Sequence, residues 1–128
     1  MKKITLLLVK NFTFLFSTAS WGEWKFVTET INVSKCYYDR DRVIKSRKYL
    51  YFWILTDYIK PKWGVLSYST YTQLNCSILR FKNLKYQWYE NSMGEGEMTD
   101  STPRYEWKYH HPDSSGEELL NKVCEEYQ

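Results

Sequence analysis

Three cysteines, two histidines and a row of interleaved basic and aromatic side chains are the residues of this 128-residue chain with chemistry to offer. His110 and His111 are adjacent, immediately before Pro112, and no cysteine or carboxylate pattern around them has the spacing of a metal site. Neighbouring side chains on an extended chain point to opposite sides, so the pair does not converge on one ion. Neither a metal nor a cofactor is expected. A hydrolytic triad would have to combine Ser114 or Ser115 with a histidine and Asp113, yet nothing resembles a nucleophile elbow and no second histidine is placed elsewhere. No catalytic residues are expected, and the remaining candidates bind rather than react. Arg80, Lys82 and Lys85 interleave with Tyr86 and Tyr89 near a turn between two strands. That patch suits an acidic protein segment, because complementary charge speeds encounter and fixes orientation. A second basic cluster, Arg40, Arg42, Lys45, Arg47 and Lys48, reads as a solvated hairpin end.

The charge balance narrows the class of partner. The chain has 18 Lys plus Arg against 15 Asp plus Glu, but Lys2, Lys3 and Lys10 lie in the first twenty residues, so residues 21–128 carry 15 of each sign. A nucleic-acid binder keeps a basic surplus after such a subtraction, so a nucleic-acid partner is not expected. The signs are nonetheless segregated: residues 21–93 hold 12 basic and 6 acidic groups, residues 94–128 hold 3 and 9. Residues 1–20 read as a secretion signal, with a Lys2-Lys3 start, an apolar stretch from Ile4 to Phe16 interrupted by Lys10-Asn11, and small residues Ser17-Thr18-Ala19-Ser20 for cleavage. No run of apolar residues is long enough for a retained transmembrane segment. Trp21 rather than cysteine stands at or beside the first mature position, so there is no lipobox cysteine and a soluble exported product is expected, periplasmic or secreted.

The elements that must position these side chains are mostly strands. The residues 24–31 and 35–39 form two short ones, with Asp39-Arg40-Asp41-Arg42 as a turn. In Tyr49-Leu50-Tyr51-Phe52-Trp53-Ile54-Leu55-Thr56-Asp57-Tyr58 both faces are apolar, which describes a central strand covered on each side. Pro61 should end it. Residues 65–81 read as one long bent strand or two shorter ones, residues 85–89 as another, residues 91–103 as a loop around Gly94 and Gly96, and residues 106–109 as the last strand. A helix then opens at a capping box, either Ser114 with Glu117 or Ser115 with Glu118. Its stripe of Leu119, Leu120, Val123, Cys124 and Tyr127 turns Cys124 toward the sheet. Bonding to Cys76, in a strand run 48 positions earlier, would tie the helix to the sheet and leave Cys36 a free buried thiol, although the residues alone leave three pairings open.

Trp24, Tyr37-Tyr38-Asp39, Val43-Ile44, the strand containing Trp53 and Asp57-Tyr58, Ser67 and Ser69, Asn75-Cys76, Gly94-x-Gly96, Trp107 and the closing run from Pro112-x-Ser114 to Val123-Cys124 occur in an order that resembles the bacterial surface-adhesin protein E family over residues 22–128. The resemblance implies an α+β fold: a six-stranded antiparallel sheet with one C-terminal helix packed on it and disulfide-linked through Cys76 and Cys124. It also implies an envelope protein that binds host extracellular-matrix or serum proteins and that can form a homodimer. This chain departs from the family in lacking the lipobox cysteine and in having Cys36.

The expectation is therefore residues 21–128 as a single protein E-like domain, a non-enzymatic exported binding protein. The alternative is a small periplasmic assembly protein acting through self-association or an envelope partner, with the acidic end of one chain meeting the basic body of another.

Overall fold

A computed structural model describes residues 23–30 and 34–127. The expected secretion signal at residues 1–20 and the last residue of the first expected strand, Ile31, lie outside these. Among the described residues, seven strands and one α-helix follow in chain order: β1 Trp24–Glu29, β2 Lys35–Asp39, β3 Ile44–Ser46, β4 Tyr49–Lys62, β5 Val65–Asn75, β6 Arg80–Tyr89, β7 Met98–Ser101 and α1 Ser115–Tyr127. Six strands lie side by side, antiparallel, in the order β1-β2-β4-β5-β6-β7, and β3 pairs with β4 off that path.

The frame is the ladder of β4 on β5, which runs in register from Tyr49 opposite Asn75 to Asp57 opposite Ser67. Alternation then sorts the side chains. Leu50 and Phe52 point to one face with Tyr38 of β2 and Leu74 of β5, and all four are buried there under Leu119, Leu120 and Val123 of α1. Tyr38 meets Phe52 and Tyr127 edge-on, each at 6.3 Å between ring centres. Cys76 and Cys124 are bonded, with Cα atoms 5.8 Å apart, and Cys36 is a buried free thiol. The helix starts at Ser114, whose Oγ accepts from the Glu117 amide at 3.2 Å, while the Glu117 carboxylate accepts from the Asp113 amide at 3.0 Å. Of the two capping boxes the sequence offers, the one led by Ser114 forms.

Three local readings change. Pro61 does not end β4, which continues to Lys62, because pairing with β5 lapses between Asp57 and Lys62 and no ladder bond needs a proline N–H there. Residues 65–81 divide at a turn where the Asn75 carbonyl side chain accepts from the Ser77 amide at 3.0 Å, so residues 85–89 are the second half of β6. The loop at 91–103 contains an edge strand, β7, and residues 106–109 reduce to one bridge, Lys108 to Phe81, with both of its hydrogen bonds at 2.8–2.9 Å. The basic cluster at 40–48 is the solvated hairpin end expected: a short exposed strand, β3, returns to β4 through Arg47-Lys48, and Arg40, Arg42, Lys45, Arg47 and Lys48 are all exposed.

Candidate protein-binding face

The central strand is covered on one face only along the row Tyr49, Tyr51 and Trp53. These rings, expected to be enclosed, are half-buried, and only Leu55 farther along is fully buried. Register extends the row across three strands. Tyr51 lies opposite Gln73 and Gln73 opposite Lys82; Trp53 lies opposite Tyr71 and Tyr71 opposite Lys85; Asn75 lies opposite Arg80. One sheet face therefore presents Tyr49, Tyr51, Trp53, Tyr71, Arg80, Lys82 and Lys85 together.

The rings support one another. Tyr71 is 6.4 Å from Tyr51 and 5.0 Å from Trp53, and the Gln73 amide donates to the Tyr51 hydroxyl at 3.1 Å. Trp107 is the keystone. It stacks on Tyr49 at 5.6 Å, with the Arg80 guanidinium 4.5 Å and the Lys82 ammonium 4.6 Å from its ring centre. Two cations over one indole give the face a fixed positive edge, since the ring quadrupole offsets some of their mutual repulsion. Lys85 pairs with Asp100 of β7 at 3.5 Å, both half-exposed, so that pair is screened. Partial burial, with Tyr51 as the second cause, raises the Tyr71 pKa above the ordinary phenol value.

The structure thus brings together Arg80, Lys82 and Lys85 but separates the two tyrosines expected beside them. Tyr86 lies on the opposite sheet face, where its hydroxyl accepts from Asn83 at 3.2 Å. Tyr89 shares the basic face but is only 6% exposed, its hydroxyl 3.0 Å from Ser69 Oγ and donating to Gln87 at 2.8 Å. Their places as ring partners are taken by Tyr49, Tyr51, Tyr71 and Trp107. The signal for Tyr49 and Tyr51 was the alternation of β4; what was missing was the register that sets β5 beside it and β6 beyond β5.

The other reactive candidates are held by the fold. Ser114 is the helix cap, and His110 lies flat on Phe81 at 4.3 Å, its pKa lowered chiefly by burial. The helix approaches that imidazole so closely that a Cβ at Gly116 would stand 2.5 Å from it. Burial pushes the Cys36 thiol up, against a hydrogen bond with Thr56. Among the described residues no cluster of three or more His, Cys, Asp or Glu could hold a metal ion, and no helix is long and apolar enough to cross a membrane. The segregated charges meet within one molecule: Lys25 and Tyr38 both bond Glu126 of α1, and Lys85 pairs with Asp100.

In sequence the chain matches no curated protein. In structure it is similar to Haemophilus influenzae protein E, with a TM-score of 0.61 at 17% identity over 81% of this chain and 85% of that one. A second crystal form of protein E gives a TM-score of 0.63 at 17% identity, covering 81% and 88%, and protein E from non-typeable Haemophilus influenzae gives 0.62 at 16%, covering 84% and 80%. At such identities the likeness establishes the sheet-and-helix fold. Family membership comes from the sequence model of surface-adhesin protein E, which matches residues 24–125. The chain belongs to the surface-adhesin protein E family.

Proposed function

We propose that this chain is a non-enzymatic, exported adhesin that holds an acidic segment of a protein partner, a host extracellular-matrix or serum protein, on the open face of its sheet. The observation that carries the reading is Trp107, stacked on Tyr49 with Arg80 and Lys82 over its ring, beside the half-buried rings of Tyr51, Trp53 and Tyr71. Aromatic and arginine side chains anchor protein interfaces at small ordering cost, and here stacking has already restricted their rotamers. Export, with residues 1–20 removed, agrees with a disulfide that persists in oxidising compartments.

Self-association of opposite charges is the weaker reading. Lys25 with Glu126 and Lys85 with Asp100 use up part of that complementarity inside one molecule. The test is binding of residues 21–128 to immobilised matrix and serum proteins, with sedimentation over a concentration range. Saturable binding by a monomer is expected; its absence, together with concentration-dependent assembly, would favour self-association.

A further inference from the structure

The end of the sheet where β4 turns into β5 carries a feature that neither the core nor the open face uses. Six consecutive residues, Ile59 to Gly64, are exposed. The chain bulges out between Asp57 and Lys62, then reverses through Trp63-Gly64, with Lys62 opposite Val65. Both turn residues have positive φ, 53° at Trp63 and 78° at Gly64. A two-residue hairpin turn of this kind favours Asn-Gly, and a bulky side chain at its first position sits in a sparsely populated region of backbone space. Trp63 is nevertheless there, and at 78% it is the most exposed large apolar residue described. Among the described residues its ring meets the Lys62 ammonium, 4.8 Å from its centre. Ile59, beside it, is 59% exposed. A strained, solvent-facing indole whose one contact is a flexible lysine is explained neither by folding nor by turn formation, and strain of this kind gathers where a chain meets a ligand.

The chemistry around it specifies the ligand. Lys60 and Lys62 flank the two apolar side chains, and no acidic residue occurs from Tyr58 to Leu66. The nearest carboxylate along the chain, Asp57, is occupied, accepting from Ser92 Oγ and from the Met93 amide, both at 2.8 Å. The tip is convex and narrow. A standard protein interface takes about 20–30 residues a side, far more than six positions supply, whereas a lipid headgroup region needs only indole and alkyl groups to insert and ammonium groups to stay at phosphate level. We propose that the β4–β5 tip is a contact for an anionic phospholipid bilayer: Trp63 and Ile59 enter the interface, and Lys60 and Lys62 pair with headgroup phosphates.

This inference is independent of the partner on the open face and is tested separately. The protein is mixed with phosphatidylcholine vesicles with and without phosphatidylglycerol, and partitioning is read by co-sedimentation and by quenching of tryptophan fluorescence with brominated lipid. Binding to the anionic vesicles is expected, with quenching that disappears in Trp63→Asn. Asn suits the turn, so that variant should keep the wild-type circular dichroism and melt no lower. Lys60→Ser/Lys62→Ser should weaken partitioning on anionic vesicles about thirtyfold at low salt, at the ordinary weight of a lysine near an anionic surface. No partitioning, equal partitioning of Trp63→Asn, or a Trp63→Asn defect seen only with a protein ligand would each overturn the proposal.

Discussion

Removing the crosslink with Cys76→Ala/Cys124→Ala should cost a large share of what the domain has to spare, through the unfolded chain rather than the folded one. The bond closes a loop across a sequence separation of 48, and freeing a loop of that size stabilises the denatured ensemble by about 4 kcal/mol. Domains of this size are stable by roughly 5–15 kcal/mol in total, and each kcal/mol moves the melting temperature by about 4–8 °C, so a fall of roughly 15–30 °C is expected. The helix itself should stay in place. Leu119, Leu120 and Val123 remain buried, the Tyr127 hydroxyl donates to the Arg40 carbonyl at 2.8 Å, and Glu126 still holds Lys25 and Tyr38. Thermal and urea unfolding, with and without reductant, give the magnitude, and native-state amide exchange gives the location. Reductant should destabilise the wild type by a similar amount and leave the variant unchanged. A loss below about 1 kcal/mol would refute the chain-entropy reasoning. So would helix amides that exchange while those of the sheet stay protected, since the bond would then be holding the helix locally.

Two further outcomes follow from burial and charge. Glu126 is held below the usual carboxylate range, first by its hydrogen bond from Lys25 and then by that from Tyr38, so its contribution is present above the unfolded carboxylate pKa and is lost as pH falls through the folded value. Glu126→Gln should therefore destabilise at neutral pH, by under about 1 kcal/mol because the pair is partly solvent-screened, and the difference should shrink in unfolding curves taken at successively lower pH below the unfolded carboxylate range; a deficit that does not shrink would contradict the assignment. Cys36, only 9% exposed and with its thiol pKa raised chiefly by burial, should resist a bulky maleimide until the chain is unfolded, and rapid native labelling followed by mass spectrometry would show that strand β2 is not packed as described.

What the sequence made legible was whatever depends on local pattern. Alternation marked β4 as the centre, three- and four-residue spacing marked the stripe of α1, and Ser114 with Glu117 marked its start. Features that depend on pairing partners were hidden. β7 is a short edge strand of exposed, mostly polar residues, and nothing in Met98-Thr99-Asp100-Ser101 distinguishes it from the loop it interrupts until β6 is beside it. Pro61 read as a stop because a proline in a paired strand loses a ladder bond, but its segment is unpaired. The candidate face suffered in the same way. Tyr86 and Tyr89 are near Lys85 along the chain, yet alternation sends the first to the opposite face, and the Ser69–Gln87 network takes the second out of solvent. Trp107, from a segment that makes only a single bridge to the sheet, reaches Arg80 and Lys82 through tertiary folding alone.

The open face itself is tested most directly by association kinetics with whichever matrix or serum protein binds, comparing the wild type with Arg80→Ser/Lys82→Ser/Lys85→Ser at low and at physiological salt. These side chains are partly exposed and lie outside the core, so the variant should fold. Its association rate should fall about tenfold or more at low salt, the gap should narrow as salt is added, and dissociation should change less. An unchanged association rate at low salt would contradict the assignment of binding to this face.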